Sequence, residues 1–176
     1  VVVRGRPHRL RAERAAGVTV QSVIVNVTAG RLGSETFSAG VNLGGQEVER
    51  ADIQRVLRAV NERSVRPERS IIHALPIGYA LDGQKGIKDP KNMVGEKLSI
   101  DVAVISAETL AMRNIELVLH RCHLQIEALM ATPYASGLAT LVDDESSLGV
   151  ACIDFGGATT TVSVFSDGQL VYSDAI

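Results

Sequence analysis

One run of residues, 151–161, limits the possible folds of this chain more than any other. It reads Ala-Cys-Ile-Asp-Phe-Gly-Gly-Ala-Thr-Thr-Thr, so an apolar strand delivers Asp154 to a turn with two glycines. Gly156 and Gly157 have no Cβ, which lets backbone N–H groups approach an anion closely. The run is typical of a loop that holds a nucleotide phosphate, and equally of a plain hairpin.

Asp154 is the candidate magnesium residue of this turn. A carboxylate in this position reaches the cation, usually through a water, because Mg²⁺ keeps much of its hydration shell. Thr159 and Thr160 offer hydroxyl and amide donors on the returning strand. The predicted cofactor-binding residues are therefore Asp154, Gly156, Gly157, Thr159 and Thr160.

Composition excludes several functional classes. A net charge of −2 and an aromatic fraction of 3% argue against nucleic-acid binding. No apolar run approaches the roughly 20 residues of a membrane helix. Cys122 and Cys152 fall in apolar patterns and are interpreted as buried thiols of a reducing cytoplasm.

The first half of the chain predicts a compact α+β unit. Asp52–Arg63 places apolar residues at i, i+3, i+4 and i+7, as in an amphipathic helix. Pro76 lies inside a long alternating strand and removes one ladder donor, so that strand is expected at an edge or bulged. Asp82–Lys97 is predicted as a loop. The predicted strands are Val18–Val27, Arg31–Leu43, Ile71–Leu81 and Leu98–Ile105.

The second half predicts part of a nucleotide-binding α/β domain. Helices are expected at Ala107–Cys122 and from Pro133 onward, where proline suits a first helical turn. Asp143-Asp144-Glu145 is interpreted as a solvated acidic turn. Strands are expected at Leu124–Leu129, Leu148–Phe155, Thr159–Phe165 and Gln169–Ser173, with Asp167-Gly168 as a hairpin turn.

A specific motif surrounds the predicted loop. It reads His73-x-Leu75-Pro76-x-x-Tyr79-x-Leu81-Asp82-Gly83, then Gly86-Ile87-Lys88-Asp89-Pro90, then Met93-x-Gly95-x-x-Leu98. The motif, the helix that begins at Asp52 and the turn at Asp154 occur in the order found in FtsA, a family of bacterial cell-division proteins. The chain resembles that family from about Gly17 to Ile176.

The resemblance implies an α/β fold: a partial actin-like (ribonuclease H-like) ATPase domain with an inserted α+β subdomain, the SHS2-like subdomain 1C. It implies that residues 1–17 are a helical remnant of subdomain 1A and that residues 18–106 are subdomain 1C, an interaction module that folds as a separable lobe. Residues 107–176 would be the latter half of 1A with the second phosphate loop. We therefore expect a fragment, without the first phosphate loop, subdomains 2A and 2B, and the C-terminal membrane helix.

The resemblance also implies a function for the complete protein. FtsA proteins are cytoplasmic, polymerise at the division site, link the FtsZ ring to the inner face of the membrane and recruit later division proteins. The implied partners are FtsZ, later division proteins and a second copy that associates through subdomain 1C. The implied cofactor is ATP with Mg²⁺, which half a phosphate clamp should bind weakly or not at all.

The turn departs from the family pattern at two positions. Ala158 replaces a third glycine, at a cost of roughly 1 kcal/mol if the turn needs positive φ there. Thr161 replaces an aspartate, and Thr132 precedes Pro133 where related ATPases carry a catalytic glutamate. We therefore expect weak or no hydrolysis and assign no catalytic residue.

Two other functions remain open on the sequence. One is another actin-like protein, such as a PilM-like ATPase of pilus assembly. The other is a sugar or acetate kinase relative, which would need an acceptor site and a catalytic carboxylate for phosphoryl transfer.

The remaining polar residues are interpreted as structural. His73 is expected to be a hydrogen-bonded structural histidine rather than a ligand, and His120 and His123 are not expected to form a metal site with Cys122. The lysines are expected to be solvated, with contact to an acidic partner as the alternative; they are Lys85, Lys88, Lys91 and Lys97. The arginine-rich start, from Arg4 to Arg14, is expected to be a solvated helix or frayed end rather than a tether to an anionic surface.

Overall fold

The computed structural model describes residues 5–64 and 66–176. These residues form five helices and nine strands. The helices are α1 (Gly5–Ala16), α2 (Arg50–Ser64), α3 (Thr109–Arg121), α4 (Thr132–Thr140) and α5 (Asp143–Leu148). The strands are β1 (Ser22–Val27), β2 (Gly33–Asn42), β3 (Arg69–Leu81), β4 (Gln84–Ile87), β5 (Lys97–Glu108), β6 (Gln125–Ala131), β7 (Val150–Phe155), β8 (Thr160–Ser166) and β9 (Gln169–Ala175). Among these residues, no helix is both long and apolar enough to cross a membrane.

Seven strands form one antiparallel sheet in the order β4-β3-β5-β2-β9-β8-β7. Its two halves, β4-β3-β5-β2 and β9-β8-β7, meet at a narrow junction. There a single residue pair, Gly33 with Asp174, joins β2 to β9. The Ser34 hydroxyl reinforces the junction, because it donates to the Ser173 carbonyl and accepts from the Ser173 N–H.

The first core lies between α2 and one face of β2, β3 and β5. Val56 and Val60 of α2 are fully buried, as the helical spacing of apolar residues predicts. They pack against alternate residues of β5, among them Leu98 and Ile100. This core gives the β4-β3-β5-β2 half its own apolar interior.

A second core lies at the opposite ends of the same long strands. Ile105 and Ala107 of β5 are buried there with Phe165 of β8 and Ala131 of β6. Ile72 and Leu75 of β3 pack against the same cluster. The two long strands β3 and β5 therefore contribute to both cores, so the strands that build the expected lobe continue into the rest of the molecule. Its separate folding stays a prediction.

The first predicted strand lies outside the expected lobe, because it pairs with β6 in a separate two-stranded sheet. β1 runs parallel to β6, with Ser22 opposite Gln125 and Val27 opposite Ala131. β1 therefore belongs with the α/β part, and the boundary predicted at residue 18 lies one strand too early. Parallel pairing of distant segments leaves no local trace in the sequence, which explains the error.

The start of the chain is more ordered than its charge suggests. Residues 1–4, and with them Arg4, lie outside the described part of the chain. Arg9 of α1 is not simply solvated: its guanidinium donates to the carbonyls of Val20 and Cys122, both at 2.7 Å, and pairs with Glu13 at 3.0 Å. This arginine ties α1 to the end of α3.

Two further expectations need correction, and one is confirmed. The predicted loop 82–97 contains β4, which pairs with β3 at Tyr79 and Leu81. The acidic run at Asp143 is not a turn but the start of α5. The register of β3 against β5 shifts between Pro76 and Gly78, so the expected bulge is present.

Candidate functional site

The predicted site residues lie together at the end of one hairpin. β7 and β8 pair antiparallel, with Asp154 opposite Thr161 and Phe155 opposite Thr160. The Gly156 N–H donates to the Thr159 carbonyl at 2.9 Å and closes the turn. Asp154, Gly156, Gly157, Thr159 and Thr160 are thus gathered at the tip and last pairs of this hairpin.

The two glycines of the turn have different roles. A Cβ on Gly156 would lie 2.8 Å from the Thr159 carbonyl oxygen, so this position needs glycine for close backbone approach. A Cβ on Gly157 would meet nothing within 4 Å, and neither glycine has a left-handed φ. Ala158 also lacks a positive φ, so the strain considered for this residue is absent.

The Asp154 carboxylate is half-buried and is held from one side. Its Oδ2 accepts a hydrogen bond from the Ser136 hydroxyl at 2.9 Å. Its Oδ1 receives no hydrogen bond from the described residues. No local sequence pattern points to Ser136, because its contact with residue 154 depends on where α4 docks.

Helix α4 lies close against this hairpin because Gly137 faces Phe165. A Cβ at residue 137 would overlap the Phe165 ring, so glycine sets the distance between helix and sheet. The Tyr134 ring stacks near Phe165, with centroids 6.3 Å apart. Pro133 stands in the first turn of α4, as predicted.

The lobe and this hairpin occur together in known proteins. Residues 29–106 match the profile of the SHS2 domain inserted in FTSA. A protein of Agrobacterium fabrum called "Cell division protein FtsA" is 55% identical over 165 residues, which cover 94% of this chain and 37% of that protein. The chain belongs to the FtsA family.

More distant FtsA proteins align over the same region. Those of Pseudomonas aeruginosa and Escherichia coli are 31% and 29% identical and also cover 94% of this chain. The chain spans about two fifths of the length of these relatives, 40% in both cases. The family relationship confirms the expected α/β fold class with its inserted SHS2 domain.

A solved structure also resembles this chain. A chain of the PilM-PilN type IV pilus biogenesis complex superposes with a TM-score of 0.49 and 15% identity, covering 82% of this chain and 39% of that one. At this level the likeness bears on neither family nor function.

The turn has the chemistry that a nucleotide phosphate with Mg²⁺ would need. Asp154 keeps one carboxylate oxygen that accepts no hydrogen bond from the described residues, and the tip of the turn, Gly156 to Ala158, is exposed. Among the described residues, no group of three or more His, Cys, Asp or Glu side chains could hold a metal ion. A nucleotide-borne Mg²⁺ takes most of its ligands from phosphate and water, so a single carboxylate fits it.

The sheet face beneath α4 contains three buried hydroxyl groups, two on β8 and one on β9. Thr161, Ser163 and Ser173 each lack a hydrogen-bond partner within the described part of the chain. Thr161 stands where the FtsA pattern has an aspartate, and its burial directs it away from the exposed turn. These hydroxyls therefore belong to the packing beneath the site rather than to its open rim.

His73 links the SHS2 lobe to the start of α4. Its Nε2 accepts a hydrogen bond from the Ala131 N–H at 3.0 Å, and the Tyr134 ring lies edge-on to it at 5.2 Å. Burial lowers the pKa of His73 below its usual 6.5 and favours the neutral imidazole that this bond requires. The expectation of a hydrogen-bonded structural histidine is confirmed.

The four lysines predicted to be solvated are all exposed: Lys85, Lys88, Lys91 and Lys97.

Proposed function

We propose that this chain carries the interaction lobe and one phosphate-binding turn of an FtsA-type cell-division scaffold. The observation that supports this most directly is the similarity to FtsA relatives, which runs through both parts in one alignment covering 94% of the chain. In the proposed role, the complete protein polymerises at the division site, beneath the inner face of the membrane. It links the FtsZ ring to that membrane through a segment outside this chain and recruits later division proteins.

The SHS2 lobe is the proposed contact surface for a second copy or a later division protein. Strand β4 lies at the far edge of its sheet, and its outer side has no neighbouring strand among the described residues. An edge strand offers unpaired backbone groups to another chain. The exposed Lys85 lies on this edge strand and the exposed Lys88 directly follows it, so both would favour an acidic partner surface.

The hairpin turn is the proposed site for the ATP phosphates. The tip of the turn, Gly157 and Ala158, is exposed, so its backbone N–H groups would be available to an anion. The hydroxyls of Thr159 and Thr160 would add donors beside it. Asp154 would face the cation with its free Oδ1. When bound, Mg²⁺ would supply positive charge that offsets the phosphate charge. Hydrolysis is proposed to be weak, because Thr132 and Thr161 occupy positions where a carboxylate would serve.

The two glycines provide a matched test of the phosphate site. In the full-length protein that carries this chain, Gly156→Ala should weaken ATP binding about tenfold, because its Cβ meets the Thr159 carbonyl and opens the turn. The Cβ added in Gly157→Ala has no atom within 4 Å, so this variant should bind ATP with the affinity of the unchanged protein. Isothermal titration with ATP and Mg²⁺ gives both affinities. Equal affinities for all three proteins would show that this turn does not hold the phosphates.

The division role is tested in cells. Depletion of the full-length protein should block septum formation and give long, undivided cells, and the unchanged gene should restore division. A gene with Gly157→Ala should restore it too, whereas Gly156→Ala should restore it poorly. Normal division after depletion would contradict the proposed role.

A further inference from the structure

We propose that Ser136 is a positioning residue for Asp154: its hydroxyl holds one carboxylate oxygen so that the other faces the Mg²⁺ of the bound nucleotide. The inference rests on the proposed phosphate site and assigns a role to a residue outside the glycine turn. Ser136 lies on α4, 18 positions before Asp154 in the chain.

The hydrogen bond distinguishes the two oxygens of the carboxylate. The Ser136 Oγ donates to Oδ2 at 2.9 Å, a normal length for a hydroxyl donor. A serine inside a helix commonly bonds the carbonyl four residues earlier. Ser136 instead directs its hydroxyl out of the helix to Asp154, which fixes the carboxylate orientation.

No neighbouring hydroxyl competes for this carboxylate. Thr161 lies directly opposite Asp154 on β8, and paired residues of antiparallel strands share one face of the sheet. Its buried Oγ1 has no partner among the described residues, although it lies beside Asp154. Within the described part of the chain, Ser136 is therefore the one side-chain donor to Asp154.

Helix α4 is held firmly enough to place this donor. Gly137, the next residue, lies against the Phe165 ring and sets how closely the helix approaches β7 and β8. The Thr140 hydroxyl bonds the Ser136 carbonyl at 2.7 Å, which secures the same turn of the helix. A group positioned by a packed helix is preorganised, so the carboxylate need not be reoriented when the nucleotide binds.

The test separates the cation contribution from the rest of ATP binding. In the full-length protein, ATP affinity is measured with Mg²⁺ and again with EDTA, and the ratio is the gain due to the cation. Ser136→Ala should reduce this gain roughly tenfold, as loss of a group behind a metal ligand does, and leave the EDTA affinity unchanged. Ser136→Thr, which keeps a hydroxyl, should restore the gain. Ser146→Ala is the control, since that helix serine bonds the Asp143 carbonyl on α5.

Asp154→Asn separates failure of the inference from failure of the proposed site. It should abolish the cation gain, and Ser136→Ala should then have no further effect. If Asp154→Asn abolishes the gain but Ser136→Ala keeps it, the positioning role is overturned and the phosphate site stands. An equal loss for Ser136→Ala with Mg²⁺ and with EDTA would also overturn it, as a general structural effect. An unchanged gain in Asp154→Asn would overturn the phosphate site and the inference together.

Discussion

At the scale of single residues, the packing beneath α4 contains an energetic penalty that sequence patterns do not show. Thr161, Ser163 and Ser173 alternate along β8 and β9 as inward-facing residues, and such positions usually carry apolar side chains. A buried hydroxyl without a partner costs about 1–3 kcal/mol relative to a satisfied one. The sheet beneath the candidate site is thus less stable than its burial alone would suggest.

Ser163 allows this penalty to be measured. Replacing Ser163 with Ala removes an unpaired hydroxyl from a fully buried site and should raise the free energy of unfolding by about 1 kcal/mol. Ser34→Ala is the comparison, because Ser34 has two hydrogen bonds to the Ser173 backbone and its loss should lower stability by about 1 kcal/mol. Urea unfolding of the chain gives both values. A loss in Ser163→Ala as large as that in Ser34→Ala would show that the Ser163 hydroxyl has a bonding partner.

At the scale of elements, the distance between α4 and the hairpin depends on Gly137. In an exposed helix, Gly→Ala stabilises by about 1 kcal/mol. Gly137→Ala should do the reverse and lower the free energy of unfolding by about 1–3 kcal/mol, because the new Cβ overlaps the Phe165 ring. Thermal and urea unfolding give the sign directly.

Two further variants identify the cause of that loss. Gly78→Ala in β3 places its Cβ in open space and should change stability little. Phe165→Leu in the Gly137→Ala background should recover part of the loss by removing the ring that the Cβ meets. A stabilising Gly137→Ala would mean that α4 does not lie this close to the sheet.

Elements with a strong local period were predictable, and those defined by distant partners were not. The apolar spacing of Asp52–Arg63 predicted α2 to within two residues at each end, because that spacing alone defines the buried face. β4 was missed because Gln84–Ile87 is short, polar and paired at only two positions. The candidate site divides in the same way. Asp154 and Gly156 were predictable because they lie in one local run. The Ser136 contact was not, because it exists only once α4 has docked.

At the scale of the whole molecule, the SHS2 lobe and the α/β part share structural elements instead of meeting at a linker. β3 and β5 pass from the α2 core into the second core, and His73 of β3 binds the backbone at the start of α4. α4 in turn carries Ser136 to Asp154. A continuous set of packed and hydrogen-bonded groups thus joins the proposed interaction surface to the proposed phosphate site.

The His73 contact should make the stability of this junction depend on pH. A protonated imidazole has no free nitrogen to accept from the Ala131 N–H, and burial lowers the pKa of His73 below 6.5 in the folded chain. The unfolded chain therefore binds the proton first. The contribution of His73 to the free energy of unfolding is complete above about pH 6.5 and decreases as pH falls from there toward the lowered folded pKa.

Urea unfolding between pH 5 and 8 tests this window against matched variants. His73→Gln keeps a possible acceptor without a titrating ring, so its free energy of unfolding should change less between pH 6.5 and 5 than that of the unchanged chain. The exposed His120 at the end of α3 is the control, and His120→Gln should retain the full change. If the free energy of unfolding of His73→Gln changed with pH as that of the unchanged chain does, the acid sensitivity would come from another residue. The expected difference would show instead that protonation of one imidazole weakens the contact between the SHS2 lobe and the helix behind Asp154.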